Sequence, residues 1–230
     1  MPRLRTVVLL CLPLLLAVGS AHAVLIFHTD LLTSNEAGPN SFADPAKGPP
    51  TKGPGDPNPG DPRPLSFGTA DFVLNDAQTQ LSFTATVFNI DFGPPGARQT
   101  PGDNDNLIAA HIHAGGLPLP NPLVFPVVWG FFGAPFNDTN SGNAAPLFDC
   151  IPFATGVGGT CAGTWDLNEG NGTTLAAQLP NILAGRDYIN FHTTQYNGGE
   201  IRGFIVPEPT TLALLGLGLV GLAGLRRKAA

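Results

Sequence analysis

Apolar and polar residues alternate along much of the chain, and this alternation places the strands. From Phe67 to Leu74 and from Gln80 to Ile90 apolar residues recur at every second position; Leu81, Phe83, Ala85 and Val87 fall on one face, Ser82, Thr84 and Thr86 on the other. A period of two is that of a strand with one buried face. The intervening "NDAQT" supplies turn residues, so the two runs predict a β-hairpin. "AVLIFHTDLL", "LIAAHIHAGG" and "PLVFPVVWGFFG", the last kinked at Pro126, read as further strands. "RDYINFHT" and "EIRGFIV", joined through "TQYNGGE", predict a second hairpin. One soluble stretch, "TTLAAQLPNILAG", has helical spacing, with Leu175, Leu179, Ile182 and Leu183 forming a stripe. Thr173 or Thr174 caps it and Gly185 stops it, while Pro180 requires the helix to be short, kinked or restarted. Short strands, frequent turns and a single small helix predict an all-β fold, an antiparallel β-sandwich or barrel.

Two stretches break the pattern. Residues 44–64, "DPAKGPPTKGPGDPNPGDPRP", are nearly all Pro, Gly and charge, and read as an exposed, polyproline-like loop. Residues 133–164 read as a long irregular insertion. It contains Cys150 and Cys161, the two cysteines left if Cys11 is lost with a leader. In an exported chain the pair predicts a disulfide, with a Cys-ligated metal as the alternative.

Both ends are apolar. Arg3 and Arg5 precede an apolar run from Val7 to Val18 and the small-x-small site in Ser20-Ala21-His22-Ala23, the pattern of a signal peptide (1–23) cut after Ala23. Near the other end, Thr210 to Leu225 forms an uncharged stretch of 16 residues loosened by four glycines. As a helix it spans about 24 Å, short of the about 30 Å of a bilayer core. Arg226, Arg227 and Lys228 follow, and basic residues are retained on the cytoplasmic side. A transient membrane stop with the body outside is expected. Pro207-Glu208-Pro209, the apolar stretch and the basic cluster together resemble a PEP-CTERM sorting signal over residues 207–230. That resemblance implies recognition by an exosortase, cleavage near the Pro-Glu-Pro motif, and a Gram-negative bacterium that makes an exopolysaccharide matrix. The localisation it implies is the periplasm, cell surface or extracellular matrix.

Charge narrows the function. Residues 24–209 hold six of the 11 Lys and Arg but all 17 Asp and Glu, a balance of −11. Such a surface repels phosphate backbones, which argues against nucleic-acid binding. No serine elbow or phosphate loop is visible, and the expectation is a non-enzymatic protein.

The one concentration of chemistry is histidine. His111 and His113, two apart on a strand, share a face; His192 ends a later strand. If those strands are neighbours, three imidazoles converge and suit Zn or Cu, with Glu200 or Asp105 supplying an oxygen. The alternative is that the histidines hydrogen-bond to backbone or to one another. Asp103 to Asn106 clusters oxygens but lacks the full calcium-loop pattern and reads as a solvated turn. Glu200 and Arg202, on one face, are expected to pair with Asp187 or Arg186 across the hairpin.

"AAHIHAGG", "LAAQLPNILAGRDYINFHT" and "GGEIRGFI" resemble the CHRD domain, first named in chordin, over about residues 24–206. The resemblance implies an immunoglobulin-like β-barrel in a secreted protein, and His111, His113, His192, Gly199, Glu200, Arg202 and Gly203 fall on its characteristic positions. The Pro-rich stretch, the Cys150–Cys161 segment and Pro180 depart from it. The leading expectation is an exported surface or matrix-associated binding or structural protein; the other is a metal-binding, redox-active protein using the His111–His113 pair.

Overall fold

The computed structural model describes residues 24–115, 125–139 and 150–208. The expected leader with its expected cleavage residue Ala23, and the tail with Pro209, Arg226, Arg227 and Lys228, lie outside the described residues. Among the described residues no helix is long and apolar enough to cross a membrane.

Among the described residues ten strands and one α-helix follow in order: β1 (Leu25–Leu32), β2 (Phe67–Leu74), β3 (Gln80–Phe88), β4 (Leu107–His113), β5 (Val127–Phe132), β6 (Cys150–Pro152), β7 (Gly158–Asp166), α1 (Leu175–Leu183), β8 (Tyr188–Thr193), β9 (Ile201–Phe204) and β10 (Val206–Pro207). They form one antiparallel sheet in the order β5-β4-β8-β9-β1-β2-β3-β7-β6, with β10 added on β1. Apolar contacts curl this sheet until its ends meet. Phe83 of β3 packs on Phe131 of β5 at 4.5 Å between ring centroids, and Trp129 of β5 stacks on Trp165 of β7 at 5.8 Å. The result is a nearly closed barrel whose interior holds Phe27, Phe72, Ile112, Phe191 and Ile201.

Both predicted hairpins form: β2 pairs with β3 from Phe67↔Phe88 to Leu74↔Leu81, and β8 pairs with β9 from Tyr188↔Phe204 to Phe191↔Ile201. The helix is short, as required, and carries Pro180 within it. The Thr174 hydroxyl accepts from the Ala177 amide at 3.3 Å, and Gly185, at φ 64°, ends it in the left-handed region. Leu175 and Ile182 are buried, while Leu183 faces out, so the working stripe is narrower than its spacing implied.

Two readings need correction. Residues 133–164 are not irregular throughout: β7 pairs with β3 over nine positions, and β6 pairs with β7. Cys150 lies directly opposite Cys161 and the two form a disulfide. The Pro-rich loop is not simply solvated either. A Thr51↔Pro62 bridge closes it, the Gln195 side chain holds its Pro49 carbonyl and Thr51 amide, and Tyr196 donates to Gly48 O at 2.9 Å.

Candidate metal centre

β8 departs from the usual half-buried strand: all six of its residues are buried. Ile189 and Phe191 face the barrel interior. The opposite face carries Tyr188, Asn190 and His192, beside His111 and His113 of β4. The register His113↔Tyr188, His111↔Asn190 and Ala109↔His192 brings the three histidines together. Their ring centroids form a triangle with sides of 5.1, 5.7 and 5.9 Å. One ring nitrogen from each lies within 4.8 Å of the others, and among the described residues this is the group with metal-ligand spacing. His28 is elsewhere, exposed and bonded to Asp71 at 2.6 Å.

Each imidazole is held from behind by a backbone carbonyl. His111 Nε2 meets Ala134 O at 3.1 Å, His113 Nδ1 meets Phe125 O at 2.7 Å, and His192 Nδ1 meets Asn197 O at 3.1 Å. A carbonyl only accepts, so each of these nitrogens carries the proton. The tautomers follow: His111 Nδ1, His113 Nε2 and His192 Nε2 hold lone pairs, and all three are buried without a hydrogen-bond partner. Burial disfavours the imidazolium and pushes His111 down to about 4, His113 to about 4 and His192 to about 3, so the cluster is neutral at neutral pH.

The surroundings fix the ring planes. Tyr188 lies flat on His113, with centroids 4.8 Å apart and planes 5° from parallel. The Arg202 guanidinium covers Tyr188 at 4.8 Å, and its Nε donates to Asn35 O. Gly130 of β5 leaves the space that His111 and the following loop occupy, since a Cβ there would stand 1.9 Å from Pro135 O and 3.1 Å from His111 Cδ2.

The oxygen ligands expected from the sequence are engaged elsewhere. Asp105 accepts from the Thr100 hydroxyl at 3.0 Å. Glu200, fully buried, receives both terminal nitrogens of Arg63 at 2.7 and 2.8 Å, the Thr193 hydroxyl at 2.6 Å, and the Ser66 hydroxyl. Thus Glu200 pairs with Arg63 of the Pro-rich loop rather than with Arg186, and Arg202 is spent on Tyr188 and Asn35. Sequence reasoning missed both arrangements. The available signal was scarcity: only six cations serve the whole body, and Arg63 stands in a stretch with no apolar reason to pack.

Comparison with known families agrees with this architecture. Residues 206–228 match the PEP-CTERM protein-sorting motif, which marks an exported chain that exosortase processes and the membrane holds transiently. Residues 51–205 match the CHRD domain, a span that includes the three histidines, Arg63 and Glu200. It begins inside the Pro-rich loop, so most of that stretch belongs to the family's span, while β1 precedes it although β1 lies in the middle of the sheet. No curated protein and no solved structure matches the chain. With the match covering well over half of its 230 residues, the chain belongs to the CHRD domain family.

Proposed function

We propose that the mature domain is a non-enzymatic binding or structural module held at the cell surface within an exopolysaccharide layer. One observation carries this reading: the match to the sorting motif starts at residue 206, directly after the match to the CHRD domain ends at 205. No linker separates the body from its processing handle, so the domain is the cargo that exosortase delivers. Two further features support a binding role. The body is strongly acidic, which favours cations and neutral polymers over acidic ones. Its outer surface also carries an aromatic row in which Phe67 stacks on Phe88 at 4.9 Å and Phe88 meets Phe153 at 5.2 Å. Leu65 and Ile151 are exposed as well, and contiguous apolar surface of this kind marks interaction sites.

Mass spectrometry of the protein recovered from an exopolysaccharide-producing host tests the reading. The expected result is a C-terminus near Pro209 in protein that co-fractionates with the polysaccharide. An intact Ala230, or a processed protein found wholly in the medium, would overturn it.

A further inference from the structure

We propose that His111, His113 and His192 form a mononuclear, nitrogen-only site for a borderline divalent cation, Zn2+ or Cu2+, bound through His111 Nδ1, His113 Nε2 and His192 Nε2. Proton bookkeeping carries the argument. Each ring has committed its single N–H to a backbone carbonyl. What faces inward is three lone pairs and no donor, so the rings cannot hydrogen-bond to one another. Buried acceptors left without partners are costly, and three within one cluster of rings multiply that cost. A water molecule has two protons for three acceptors. A cation satisfies all three at once.

The donor set selects the cation. Neutral imidazoles suit Zn2+ and Cu2+, whereas Ca2+ and Mg2+ require oxygens, and the two carboxylates expected from the sequence, Glu200 and Asp105, are committed to other partners. The carbonyls behind the rings are the outer-shell contacts that fix tautomer and orientation in metal-ligating histidines. One ring nitrogen from each histidine lies within 4.8 Å of the others, while a tetrahedral site with metal–nitrogen bonds of about 2.0–2.1 Å has edges of about 3.3 Å. Small ring rotations about the existing carbonyl bonds close the difference. Arg202, one aromatic ring away from His113, adds positive charge nearby, so an anionic fourth ligand is favoured over a neutral one.

Exported, processed protein purified without a polyhistidine tag and stripped with chelator is titrated with Zn2+ and with Cu2+ by calorimetry. A single saturable equivalent is expected for each, with Cu2+ displacing Zn2+ and excess Ca2+ displacing neither. His28→Ala retains the equivalent. His113→Gln weakens binding more than about 100-fold, beyond the range seen for loss of an outer-shell partner. Where a site variant fails to fold by circular dichroism, electron paramagnetic resonance of the Cu2+-loaded natural protein decides: hyperfine coupling to three imidazole nitrogens is expected. Absence of saturable binding, equal binding by folded His113→Gln, displacement by Ca2+, or a Cu2+ spectrum without three nitrogens would each overturn the site. None of these outcomes bears on surface delivery, which the C-terminal mass reads independently.

Discussion

Glu200 shows how much one side chain holds. Four donors on three residues converge on its carboxylate, and with Arg63 it forms a bidentate pair in which both residues are buried. Removing one partner of such a pair leaves a bare charge in the interior. Glu200→Ala should therefore cost about 3–5 kcal/mol in urea denaturation, and Arg63→Met/Glu200→Gln should cost less than the sum of its single changes. Glu36 illustrates the opposite case. Burial lifts its carboxyl from 4.5 to about 8 against the pull of Arg202, with Glu200 adding to the rise. The folded chain keeps this proton at pH values where the unfolded chain has lost it, so the stability that Glu36 contributes is full below about 4.5 and falls as pH rises to about 8. Asp187, raised by burial from 3.8 to about 7, adds a fall that ends earlier. Glu36→Gln should flatten the upper part of the curve while the Asp187 part persists, as read from urea midpoints across that range. The histidine pair was legible at this scale, because residues two apart on a strand must share a face. His192 could be added only conditionally, since its joining the pair depends on which strands become neighbours.

At the level of elements, legibility tracked the visibility of alternation. β2 and β3 expose every second side chain, so their hairpin could be read directly. β7 could not: "GGTCAGTWD" places glycines where large neighbours intrude. A Cβ on Gly159 would stand 2.4 Å from Phe92 Cδ1, and one on Gly163 would stand 2.8 Å from Phe83 Cε1 and 3.1 Å from Trp129. In sequence these glycines look like a loop; in the barrel they are the room the aromatic core needs. The Pro-rich stretch misled for a related reason, since polar pins rather than apolar periodicity fix it. The Cys150–Cys161 bond closes the loop between β6 and β7 at the sheet's end. In the chain-entropy account it contributes about 3 kcal/mol. Cys150→Ala/Cys161→Ala should lower the calorimetric Tm by about 6–12 °C for a domain of this size.

Across the whole molecule, the curled sheet brings the two ends of the body side by side. β10 lies along β1 with Phe27↔Pro207 and His28↔Val206 opposed, and the Glu208 amide donates to Ile26 O at 3.1 Å. The first two residues of the Pro-Glu-Pro motif thus rest against the strand that opens the mature chain. β1 is held by its full length on β2, whereas β10 spans only two residues. In amide exchange the Val206 and Glu208 protons should be lost well before those of the β1–β2 ladder, and equal protection would show that β10 is an integral part of the barrel. The geometry sets a mechanical polarity. β10 leads directly into the sorting tail and is two residues long, so a pull on the tail loads this short pair before the ladder that holds β1 on β2. A modest tug would yield slack chain at the scissile motif while the barrel stays intact.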